Sequence, residues 1–126
     1  MKTSSIKASL AVICFATFAG IAATHAEPQY VKVHIKNNDP KLKIQVDLVD
    51  KVSKKTEENR DAVTPGGTIN TKAMVNDKGN VDFVLSIVFR DAPGGSFYRC
   101  WDVATSTDKK SELSTFNVTQ SSGRKC

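Results

Sequence analysis

The side chains that could carry chemistry in this 126-residue chain are few and widely spaced: two histidines (His25, His34), three cysteines (Cys14, Cys100, Cys126) and 13 carboxylates. A zinc site of the His/Cys kind needs about four such ligands brought together. A nucleophilic serine or cysteine needs a base within hydrogen-bond reach. His34 would have to be that base, yet it lies between Lys32 and Lys36 in an alternating run, and no motif surrounds any serine. Paired carboxylates can hydrolyse glycosides without histidine. Here Asp47, Asp50, Glu57, Glu58, Asp61, Asp82, Asp91 and Asp102 are scattered, most of them in loops or beside lysines. Asp77, Asn80 and Asp82 in NDKGNVD lack the alternating acids and closing glutamate of a calcium loop, and read as a turn around Gly79. The expectation is a protein that is not an enzyme, with no cofactor and no metal site.

The N-terminus narrows the chemistry further. Lys2 and Lys7 bracket no acid and the apolar run of residues 8–23 follows, with the small residues Thr24 and Ala26 at the −3 and −1 positions of a cut before Glu27. This is the pattern of a secretory signal peptide, of bacterial type, and the run is short of the roughly 20 residues that a spanning helix needs. Cleavage after residue 26 removes Cys14 and His25 and leaves residues 27–126 as a single domain with no transmembrane segment. The remaining 16 Lys and Arg against 13 Asp and Glu give a net +3, too mild for a nucleic-acid-binding composition. Two cysteines in an exported chain pair most simply with each other. A Cys100–Cys126 bond closes a loop of about 27 residues, is worth roughly 3–4 kcal/mol, and pins the polar tail TQSSGRKC.

The elements that must position these groups read as β throughout. YVKVHIKN alternates, with Val31, Val33 and Ile35 on one face and Lys32, His34 and Lys36 on the other. KLKIQVDLV alternates likewise, and with NNDP between them the two runs predict a hairpin. The charged stretch from about 50 to 67 predicts a mobile loop with room for a helical turn near 54–59. TINTKAMV resumes a strand, and NDKGN predicts a hairpin turn into VDFVLSIVFR. DAPGGS then turns the chain into FYRCWDV, and LSTFNVTQ is the last of about six strands. The spacing predicts an all-β fold, a small antiparallel β-sandwich, with a six-stranded barrel as the alternative. Within FYRCWDV, Tyr98-Arg99-Cys100 resembles the Tyr-x-Cys of strand F in immunoglobulin domains. The resemblance implies an Ig-like architecture and carries no function, since the partner cysteine follows that strand and Trp101 follows the cysteine.

Two surfaces remain as candidates for recognition. In the expected hairpin, Lys32, His34, Lys36, Lys41 and Lys43 share one outward face, which could meet an acidic glycan, a lipid headgroup or an acidic protein. Lysines on an outward strand also keep a sheet from pairing with strangers. Val84, Val88 and Tyr98 would form a partner patch if uncovered, or core if the 51–66 loop lies over them. Together these features predict a periplasmic or secreted binding protein, monomeric or weakly dimeric. Its class would be a host- or surface-interaction or virulence factor, of the kind exported by type II secretion. The alternative is a periplasmic enzyme inhibitor or accessory subunit that presents the loop 90–98.

Overall fold

The structure is a computed structural model that describes residues 28–126; the leader expected at 1–26 lies outside the described residues. Every regular element in it is a strand: β1 (Gln29–Asn37), β2 (Lys43–Asp50), β3 (Lys55–Glu57), β4 (Thr68–Val75), β5 (Asn80–Arg90), β6 (Phe97–Ser106), β7 (Phe116–Val118) and β8 (Arg124–Lys125). They form a three-stranded sheet in the order β4-β1-β7 and a five-stranded sheet in the order β3-β2-β5-β6-β8. The all-β expectation holds, with eight strands in place of about six. The sheets are not wholly antiparallel, because β7 runs parallel to β1.

Alternation in the sequence becomes the inside and outside of each sheet. Val31, Val33 and Ile35 of β1, Ile69 and Ala73 of β4 and Val118 of β7 turn inward from the smaller sheet. They meet Ile44, Val46 and Leu48 of β2 and Val81, Phe83, Leu85, Ile87 and Phe89 of β5 in one continuous core. Phe83 and Phe89 are fully enclosed, and Phe89 stacks on Phe97 across the β5–β6 pair with centroids 5.1 Å apart.

Two expected hairpins are absent. β1 and β2 belong to different sheets, so NNDP carries the chain across the core. The NDKGN turn does form, with Asn76 N–H donating to Asn80 O at 2.8 Å and Gly79 at φ 80°, but it too joins strands of different sheets. The reason is burial. Two amphipathic strands paired side by side leave their apolar faces unmet, whereas in opposite sheets those faces cover each other. Only β5 and β6, joined through DAPGGS, pair as the turn signal predicts.

Buried polar side chains build the corners between sheets. Asn37 is fully buried; its amide donates to Leu42 O at 2.9 Å and Val63 O at 3.0 Å and accepts Asp39 N–H at 3.0 Å. Asp39 accepts the N–H groups of Lys41 and Leu42 and the Gln120 amide. Asp50, on β2, accepts Val52 N–H and Met74 N–H, which ties the end of β2 to β4. Within the charged stretch, residues 55–57 are extended and pair with β2, and Val63 bridges to Ile44. No helical turn forms there.

The tail is a strand with a staple. β8 pairs with β6, and the Arg99 guanidinium donates to the carbonyls of Ser122 and Gly123. Cys100 and Cys126 are disulfide-bonded with Cα atoms 5.0 Å apart. Gly123 has φ 70°, and a Cβ there would collide with the Cys100 carbonyl oxygen.

Candidate functional site

The outer face of the three-stranded sheet gathers most of the side chains that could recognise a charged ligand. On β1 the outward positions are Lys32, His34 and Lys36, and the register with β4 sets Lys72 opposite Lys32, Asn70 opposite His34 and Thr68 opposite Lys36. Lys32 spends both backbone groups on the other side of β1: its N–H donates to Ser111 O at 2.9 Å and its O accepts Leu113 N–H at 3.0 Å. Lys32 and Lys72 are therefore a non-hydrogen-bonded pair, the register in which opposed side chains stand closest. Like charges in that position repel. Lys72 relieves part of the repulsion by leaning over the Tyr30 ring, its Nζ 4.4 Å from the centroid.

His34 sits beside this pair with an acceptor at each ring nitrogen. Nδ1 lies 2.6 Å from Asn70 Oδ1 and Nε2 lies 2.8 Å from Glu112 Oε1. Both nitrogens can donate at once only in the imidazolium form. The Asn70 bond is the largest influence and the Glu112 bond the next; together they raise the His34 pKa above 6.5 against partial desolvation and the nearby Lys32 charge. The face thus carries Lys32, Lys36, Lys72 and a histidine biased toward its charged form. The segment 57–61 stands beside it and bounds an open depression of about 760 Å³, whose lining is mixed in charge: Lys32, Lys72, His34 and Arg60 on one hand, the carboxylates Glu57, Glu58 and Asp61 on the other. Arg60 is itself paired with Glu58 at 2.9 Å.

The five residues expected on one face are divided. Lys32, His34 and Lys36 do share the outer face of β1. Lys41 lies in the β1–β2 connection, and Lys43 lies on the larger sheet, opposite Arg90 in the β2–β5 register. With β1 and β2 in different sheets, Lys43 faces away from His34. In their place the fold supplies Lys72, Asn70 and Glu112, which reach the site through pairings with distant segments and left no local mark in the sequence.

Val84, Val88 and Tyr98 lie on the outer face of the larger sheet. Tyr98 stands directly opposite Val88, and Val84 lies opposite Val49. The charged stretch does not lie over them, because β3 extends the same sheet sideways beyond β2. Tyr98 is 61% exposed and Val49 40% exposed, so the sequence missed one member of this patch.

Among the described residues, no three or more His, Cys, Asp or Glu side chains gather as a metal site would require. No protein-family model, curated protein or solved structure matches the chain.

Proposed function

We propose that the chain is an exported, non-enzymatic binding module of immunoglobulin-like sandwich architecture. In this reading it engages an anionic ligand through the outer face of its three-stranded sheet. The observation that carries the proposal is the Lys32–Lys72 pair, two like charges in the closest cross-strand register, beside a His34 whose own charge is paired with Glu112. An anion seated between them converts that repulsion into attraction. The secretory pattern of the first 26 residues and the Cys100–Cys126 disulfide support export. No helix among the described residues is long and apolar enough to cross a membrane.

An amide NMR titration of the purified protein against acidic oligosaccharides and inositol phosphates, at low and high salt, tests this. Shifts should cluster on Lys32, His34, Lys36, Asn70 and Lys72 and fade as salt screens the charges. No shift with any anion at low salt refutes it. The exposed Tyr98 and Val49, with the half-buried Val84 and Val88 on the same face, favour a second reading, a protein partner such as a periplasmic enzyme that this chain inhibits or assists.

A further inference from the structure

Three strands cannot cover five. The smaller sheet ends at β7, so the inner face of β6 is covered by the irregular segment 107–115 instead of by a full strand. Trp101 and Val103 turn inward there, opposite Leu85 and Phe83 in the β5–β6 register. Trp101 is only half-buried and meets Phe116 edge-on, with centroids 5.3 Å apart. Beside it opens a cleft of about 480 Å³, within the range of roughly 300–1,000 Å³ usual for small-molecule sites.

The rim of this cleft is polar. Thr105, Asp108, Lys110, Glu112 and Asn117 surround the aromatic floor. A half-buried indole that lines a cleft among hydrogen-bonding side chains suits a pyranose ring, whose C–H face packs on the aromatic surface while its hydroxyls bond the polar lining. Glu112 belongs to both places, lining the Trp101 cleft and bonding His34 on the basic face. The segment around Glu112 runs beside Lys32. One extended ligand can therefore cross it and meet both surfaces.

We infer that the ligand is an acidic oligosaccharide, with one pyranose against Trp101 and its acidic groups on Lys32 and Lys72. This rests on the reading of the basic face as an anion site and adds to it the aromatic cleft. A phosphorylated headgroup at a bilayer surface would need the lysines but not the indole.

Trp101 is the only tryptophan in the chain, so its emission reports the cleft directly. The experiment titrates the protein with hexagalacturonate, a heparin-derived hexasaccharide, neutral maltohexaose, and phosphatidylglycerol vesicles, with the Lys32 and Lys72 amides followed in parallel. At least one acidic sugar should change the emission and shift both amides, with no response to the neutral sugar. Lys32→Glu with Lys72→Glu should weaken binding about tenfold or more at low salt. Trp101→Phe preserves an aromatic side chain against Phe116, and Asn117→Ala leaves the core untouched; each should weaken binding several-fold. Amide shifts on the lysines with unchanged emission, and full affinity in Asn117→Ala, would overturn the inference and leave the anion site standing. Binding of vesicles in place of sugars, or equal binding of the neutral sugar, would also overturn it. Silence at both the emission and the lysine amides would remove this inference and the anion site together.

Discussion

With an acceptor at each ring nitrogen, His34 couples protonation to folding. Its folded-state pKa is raised above 6.5, chiefly by the Asn70 bond and then by Glu112. The stabilisation is therefore fully present below the unfolded value and is lost as pH rises through the folded one. The ring of His34 should titrate above 6.5 by NMR, and Glu112→Gln should bring it down. Between about pH 6 and about pH 9 the urea midpoint should fall further for the native protein than for Glu112→Gln. Titration at or below 6.5 would show that the two bonds do not persist in solution. The outward orientation of His34 was legible from the alternation of β1. Its partners were not, because Asn70 and Glu112 lie 36 and 78 residues away and nothing local announces either.

Among the elements, β8 is the least self-sufficient. It is two residues long and holds its place through pairing with β6, the Arg99 bonds to the tail carbonyls, the Arg124–Asp102 ion pair and the disulfide. Reducing the disulfide restores the entropy of a loop of roughly 27 residues to the unfolded chain, and should cost about 3–4 kcal/mol in a urea comparison of oxidised and reduced protein. Gly123 makes the close approach possible: its φ is positive and its α-carbon faces the Cys100 carbonyl. Gly123→Ala should destabilise the oxidised protein by about 1–3 kcal/mol, whereas Ser121→Ala, in the same exposed tail, should stay within about 0.5. Equal midpoints for the two variants would mean that the tail is not packed as described. The cysteine pairing could be inferred from composition and compartment. That the tail forms a strand on β6 could not, since RK has no periodicity to read.

The two sheets share a core, but their connections rest on a few polar side chains. Asn37 ties β1 to the start of β2 and to the Val63 bridge, and Asp39 adds Gln120 from the tail. Asn37→Ala removes the partner of the Leu42 carbonyl and of the Asp39 N–H at a buried corner and leaves Val63 O with the Ile44 N–H alone. It should cost roughly 2–3 kcal/mol, while Lys43→Ala at an exposed position should cost almost nothing. Chemical denaturation of both variants checks this; equal stabilities would remove the corner as a determinant. Asp39 contributes to the acid limb. Burial pushes its carboxyl up, but bonds from Leu42, Lys41 and Gln120 outweigh burial and hold it below 3.8. Its contribution is present above the unfolded value and disappears as pH falls through the folded one.

What the sequence determined by itself was the type of each main strand and its inward residues, because a side-chain period of two is a local property of an extended chain. Val31, Val33, Ile35, Ile44, Val46 and Leu48 were all legible as core in this way, and all are buried. Tertiary structure alone decided which strands are neighbours. An alternating pattern states which face seeks cover without naming what covers it, so β1 and β2 satisfied the same pattern in opposite sheets as they would have in a hairpin. That decision divided the expected lysine face, moved Lys43 to the far sheet, and brought Lys72, Asn70 and Glu112 to His34.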